Sequence, residues 1–279
     1  MLLKKLYRYI KNGSFHTKDY LAYKKFLLEN PHQYKQSYFN LTIDFELGWS
    51  RRRAGREVTN AGKSFERSRR SRSMLPILLK LSDKYRIPVT FAIVGQIGVD
   101  ESNGKDLIEA IKNTTTHHEI ASHSFSHVDL SDEETTQKIA EYEITQSAQV
   151  LRQYDSQLST FIFPNNHPAY LDLVRENGFN VYRTRVNEAI KKDAHGLSQF
   201  PLGMWLSPQA SSPKDLIKLI DVGIAKNQLV NFWCHLFEFD STLQFRSFFE
   251  PIFAHIESCR KTGKIDALTV REIIKKTDE

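Results

Sequence analysis

The sequence predicts an α/β protein with a mostly parallel sheet and helices outside it. Apolar runs of strand length alternate with helix-length segments along most of the chain. About seven such repeats fit in 279 residues, which favours a barrel or partial barrel over an open sheet. The residues with the most distinctive chemistry stand where apolar runs end, and α/β sheets and barrels keep their sites at such strand ends.

Taken in order, residues 1–35 read as an N-terminal helical extension closed by Asn30-Pro31, and 36–279 as one large domain. Tyr38 to Asp44 is a first buried strand, followed by an arginine-rich loop. Met74 to Tyr85 carries Leu75, Leu78, Leu79 and Leu81, a helical stripe. Ile87 to Val94 is a strand, with Pro88 near its start where proline is tolerated. Lys105 to Lys112 is a short helix and Glu119 to Ser122 a short strand. Asp132 to Tyr154 is a long helix, opened by a capping box of Ser131 and Glu134. Strand Thr160 to Phe163, helix Ala169 to Asn177 and strand Phe179 to Arg183 continue the alternation. Phe200 to Leu206 is irregular around Pro201 and Gly203. Helix Asp215 to Lys226, strand Leu229 to Cys234 and helix Phe245 to Lys261 follow, and 267–276 closes the chain as a helix after a short strand turn.

Hydrophobic residues make up 40% and charged residues 26%, which is globular composition and excludes wholesale disorder. Cys234 and Cys259 are too few for a disulfide framework, and their spacing is not that of a metal motif. No stretch is long and apolar enough to span a membrane, and the first residues lack the apolar run and cleavage site of a secretory signal. A cytoplasmic location is expected, with residues 1–11 able to make weak membrane-surface contact as a short amphipathic helix. The net charge of +6 is concentrated in Arg51, Arg52, Arg53, Arg56, Lys63, Arg67, Arg69, Arg70 and Arg72. Phe65 is the lone aromatic there, so no base-stacking platform exists and no nucleic-acid partner is expected. Guanidinium forks so soon after Glu46 instead suit an anionic substrate or a phosphate-bearing carrier.

The run Glu119-Ile120-Ala121-Ser122-His123-Ser124-Phe125-Ser126-His127 places two imidazoles four apart. One helical turn apart, they can converge on one point, and a carboxylate from another element can complete three legs of a divalent metal site. Thr42-Ile43-Asp44-Phe45-Glu46 offers that carboxylate. Side chains at i and i+2 of a strand share a face, so Asp44 and Glu46 can both enter the site. One would hold metal while the other accepts a proton, and the residues alone allow either assignment of Asp44 and Glu46. The open position such a site leaves is where a water is activated.

These residues resemble the polysaccharide deacetylase family, the NodB-homology carbohydrate esterases. Thr42 to Glu46 occupies the place of its Thr-Phe-Asp-Asp-Gly motif, His123 to His127 matches His-Ser/Thr-x-x-His, and Phe232-Trp233-Cys234-His235 matches its final histidine after an apolar strand. The resemblance covers roughly residues 38–270 and implies a distorted (β/α)7-type barrel that removes acetyl groups from sugars. The first motif departs from the family, with Phe45 at the second acidic position and Glu46 where glycine would be. At Phe163-Pro164-Asn165-Asn166-His167 the family has Arg-x-Pro-x-Gly, whose arginine orients the catalytic aspartate; this chain has Ile162 there. Asn165, Asn166 or His167, or an arginine from the 51–72 loop, are the expected substitutes, and Arg51 and Arg52 are candidate substrate contacts with them.

The resemblance implies a metal-dependent hydrolase of carbon–nitrogen amide bonds, with zinc expected and cobalt, manganese or nickel also fitting. Asp44 and His235 are the expected catalytic pair, and Glu46, His123 and His127 the metal ligands. The expected substrate is an N-acetylated sugar or glycan precursor, phosphate-linked, in surface polysaccharide assembly. Hydrolysis of a small cyclic amide, or non-catalytic carbohydrate binding, are the alternatives. Trp49, Trp205 and Trp233 offer apolar faces for a sugar ring or for core packing.

Overall fold

The computed structural model describes residues 18–49, 52–53, 56–57 and 61–278. Helix α1 covers 18–29, then β1 Ser37–Phe45, β2 Arg52–Arg53, β3 Arg56–Glu57, α2 Ala61–Tyr85, β4 Thr90–Ile93, α3 Lys105–Lys112, β5 Glu119–Ser122 and α4 Gln137–Leu151. Next come β6 Thr160–Phe161, α5 Leu171–Glu176, β7 Val181–Arg183, β8 Lys191–Lys192, β9 Ser198–Phe200 and β10 Met204–Trp205. The chain ends with α6 Pro213–Ala225, β11 Leu229–Cys234, α7 Thr242–Lys261, β12 Ile265–Ala267 and α8 Val270–Asp278.

One sheet runs β10-β11-β1-β4-β5-β6-β7-β9-β8, with β12 branching from β1. Every pairing in it is parallel except β8 with β9. The expected (β/α)7-type barrel is therefore the architecture, distorted in that its path starts at β10 and stops at β8. All nine residues of β1 are buried, as expected for a strand with parallel neighbours on both sides inside the sheet. Register Asp44 with Ala92 and Ile43 with Cys234 aligns the C-terminal ends of β1, β4 and β11. Tyr23 and Leu27 of α1 join the main core, and the Tyr23 hydroxyl donates to Asn231 Oδ1 (3.1 Å) while accepting from the Asn231 N–H (2.9 Å).

Several boundaries differ from the sequence reading. The stretch from Ala61 is not a loop but the first half of α2, which continues through Pro76. It has no apolar stripe; what supports the helix is Glu66 pairing with Arg69 and Arg70 at i+3 and i+4. The capping box at Ser131 does not form either. Ser131 bonds Asp129, and α4 starts five residues later than expected, capped by Thr136, whose hydroxyl accepts from the Ile139 N–H. The irregular stretch Phe200 to Leu206 holds β10 and the last residue of β9, strands too short to show a period.

Candidate metal centre and active site

Every element that delivers a chemical group does so at the C-terminal end of its strand. β1 delivers Asp44 at its end and Glu46 just beyond. His123 and His127 follow β5, Arg183 ends β7, and His235 follows β11, with Glu238 in the single 3-10 turn Leu236–Glu238 after it.

The two imidazoles do not converge along a helix, as their spacing suggested. They converge through a loop in which Ser124 (φ 59°) and His127 (φ 64°) are left-handed. A non-glycine residue pays for that conformation, so surrounding bonds must impose it. Buried Glu143 of α4 does so, accepting from the Ser126 N–H (2.7 Å) and hydroxyl (2.6 Å). The Gly95 and Gln96 N–H groups hold the carbonyls of Ser124 and Phe125.

Glu46 Oε1 lies 3.1 Å from His127 Nε2, 3.7 Å from His123 Nε2 and 3.1 Å from His235 Nε2. Donors bound at about 2.0–2.2 Å around a tetrahedral ion stand about 3.3–3.5 Å apart, so the distances from Glu46 to His123 and His127 bracket that spacing. Glu46, His123 and His127 are all buried and their ligand atoms mutually lie within 4.8 Å. The His123 Nδ1–H donates to the Ile162 carbonyl (2.6 Å), which leaves Nε2 as a lone pair aimed at the carboxylate. Both ring nitrogens of His127 are buried without a hydrogen-bond partner among the described residues. The His123 lone pair facing a carboxylate, beside a buried His127 whose ring nitrogens find no hydrogen bond, calls for a cation, and this donor set suits a divalent ion.

Asp44 is locked by a group the sequence reading missed. Arg183 Nη1 and Nη2 donate to its two oxygens at 2.9 and 2.6 Å, and both side chains are almost fully buried. The arginine absent at position 162, just after β6, is thus supplied from the neighbouring strand β7, not from the 51–72 segment. Asn166 Oδ1 accepts from Arg183 Nε (2.7 Å), and Trp233 lies 4.8 Å beneath the guanidinium. Burial pushes the Asp44 carboxyl up, but Arg183, with His123 and His235, outweighs it and holds the pKa below the usual value. Glu46 is held well below its usual value in the same way, burial being outweighed by His127 and His235.

His235 is oriented by a second missed residue. Its Nδ1 lies 2.8 Å from Glu238 Oε1, which also accepts from Trp205 Nε1 (3.0 Å). Burial disfavours imidazolium, but Glu46 and Glu238 prevail and set the His235 pKa well above its usual value. Burial raises the Glu238 pKa despite its bond to His235. A cavity of about 480 Å³ opens from His235 and Glu238 between Trp205 and Trp233, reaching Asn187 and, on α1, Asp19 and Tyr23.

The remaining candidates separate. Asn165 Nδ2 donates to Asp129 (2.8 Å) and His167 Nδ1 lies 3.3 Å from the same carboxylate, so both belong to a rim network; Asn166 alone of the three reaches the Arg183–Asp44 pair. Arg51 lies outside the described residues, as does the side chain of Arg52. Arg70 pairs with Asp240 and Arg72 with Asp106, whereas Arg67 sits 4.5 Å over Phe237, which stacks on His235. His118 stands before β5, at the opposite end of the strand from the site, and its Nδ1 accepts from the Val89 N–H.

With this geometry in hand, the sequence profile described as polysaccharide deacetylase matches residues 64–180. Over that stretch, and over that stretch only, the chain is similar to the polysaccharide deacetylase family. The match includes His123 and His127; Asp44, Glu46, Arg183 and His235 lie outside it and join the site through the fold. A protein of Mycobacterium smegmatis described as a polysaccharide deacetylase superposes with a TM-score of 0.66 at 16% identity, over 88% of this chain and 92% of its own. An allantoinase gives 0.67 at 13%, over 89% and 94%. A Pseudomonas aeruginosa protein described as a polysaccharide deacetylase gives 0.65 at 13%, over 86% and 90%. These likenesses show the fold. No curated protein matches the chain by sequence.

Proposed function

We propose that the chain is a metal-dependent deacetylase acting on an N-acetylated sugar, with Glu46, His123 and His127 as metal ligands. The observation that carries this reading is the convergence of those three side chains beside an Arg183-locked Asp44 and a Glu238-oriented His235. A bound divalent ion, zinc by this donor set with cobalt, manganese or nickel also fitting, would polarise the acetyl carbonyl and acidify the attacking water. Asp44 stays ionised in this setting and accepts the proton of that water. His235 carries a proton between Glu46 and Glu238 and delivers it to the leaving nitrogen, which cannot depart as an anion. Trp205 and Trp233 line the cavity in which the sugar rests.

The substrate we favour is phosphate-linked, a cytoplasmic precursor in surface polysaccharide assembly. Arg67, set against the Phe237 that stacks on His235, brings a guanidinium toward the mouth of the site. Two free thiols suit a reducing compartment. The test is acetate release from neutral and phosphate-linked N-acetyl sugars, beside ring opening of a small cyclic amide, before and after chelation. Chelator-sensitive acetate release supports the proposal. Ring opening without acetate release selects the cyclic-amide reading, and sugar binding without turnover of either selects a binding protein.

A further inference from the structure

We propose that Asp221, His255 and Cys259 form a second metal site, for a borderline-soft divalent ion such as zinc, that clips α6 to α7. His255 and Cys259 are one turn apart on α7 and share a face, and Asp221 reaches them from α6. Their ligand atoms lie mutually within 4.8 Å. Cys259 Sγ is 3.6 Å from His255 Nε2. An ion with a bond of about 2.3 Å to sulfur and about 2.0 Å to nitrogen, at a tetrahedral angle, sets those atoms about 3.5 Å apart. Asp221 Oδ1 stands 2.8 Å from the same nitrogen, a hydrogen-bonding distance. Admitting an ion requires that oxygen to withdraw by about half an ångström. Its side chain is 56% exposed and has the room to do so.

The three residues supply one sulfur, one nitrogen and one oxygen donor, which leaves a fourth position for water. Thiolate favours zinc or cobalt over magnesium, calcium or manganese. Helix α7 runs back from the His235 turn toward β12, and α6 ends where β11 begins. The cluster therefore lies toward the N-terminal ends of the strands, away from Glu46. An ion there would join two helices that pack on either side of the chain's return to the sheet, and would act as a structural tie.

Cobalt titration of the full chain tests this, because thiolate-to-cobalt charge transfer absorbs in the near ultraviolet and the ligand set at Glu46 contains no sulfur. Wild type should bind about two cobalt ions, one per three-ligand site, and show that band. Cys259→Ser should lose the band and one ion, and His255→Gln should lose the same ion. His123→Ala should lose the other ion and keep the band. A wild type that takes up cobalt without the band, or a band that survives Cys259→Ser in the folded protein, would overturn the proposal.

Discussion

Arg183→Met removes the counter-ion of a carboxylate that is buried on all sides, and its cost follows from that burial. Breaking a buried pair by deleting one partner costs about 3–5 kcal/mol, a large share of a typical 5–15 kcal/mol of domain stability. The sign of the pH effect is also set. Asp44 now titrates below its unfolded value, so the stabilisation it gives is present above the ordinary carboxylate range and is lost as pH falls through its depressed folded value. Burial is already the largest single influence on this carboxyl, and without Arg183 it is no longer outweighed and pushes the carboxyl upward, so the variant should lose stability as pH rises through the carboxylate range. Arg183→Lys keeps the charge but not the fork; forfeiting one charge-assisted hydrogen bond of about 1.5–3 kcal/mol predicts a fall in kcat/KM of roughly tenfold to a hundredfold. Asp44→Asn combined with Arg183→Met should recover part of the stability lost by Arg183→Met alone, since no charge is left stranded. Urea denaturation at several pH values and a pH–rate profile read these outcomes. An Arg183→Met protein within about 0.5 kcal/mol of wild type, the range of ordinary surface changes, would refute the reasoning.

Other expectations follow from the same geometry. Asp44→Asn should retain metal yet lose turnover by about a hundredfold or more, the scale of a missing general base, whereas Glu46→Gln should lose metal; the reverse pattern in elemental analysis and acetate release would exchange their roles. His118, mostly buried and accepting the Val89 N–H, has its pKa lowered to about 4, chiefly by burial. The unfolded chain therefore takes up a proton there first, and stability should fall as pH drops from about 6.5 to about 4. His118→Gln should flatten that part of the urea-midpoint profile, and an unchanged slope would show that His118 does not set it. Arg67→Ala should narrow any preference for a phosphate-linked sugar over the neutral one, and rising salt should narrow it in wild type. Equal kcat/KM for both sugars at low salt would remove the phosphate argument.

The alternation of strands and helices, and the ends at which Asp44, His123 and His235 stand, were legible because burial on both faces writes largely apolar runs such as Tyr38 to Ile43, broken only by Asn40 and Thr42. Helix starts were less so. The onset of α2 depends on Glu66 meeting Arg69 and Arg70, and that of α4 on which of Ser131 and Thr136 finds an N–H to cap. At the site, the spacing of His123 and His127 suggested convergence along a helix, whereas left-handed backbone brings them together. Glu238 carried a local signal, three residues after His235. Arg183 carried none. It is 139 positions from Asp44, and only the order of β1, β4, β5, β6 and β7 around the barrel places it opposite.

The central claim, that Glu46, His123 and His127 hold a divalent ion, is tested most directly by elemental analysis of the Cys259→Ser protein and of the same protein carrying His123→Ala with His127→Ala. The first should contain about one divalent ion per chain, as a single three-ligand site requires, and the second essentially none while remaining folded by circular dichroism. Full occupancy in the protein lacking His123 and His127 would contradict the account.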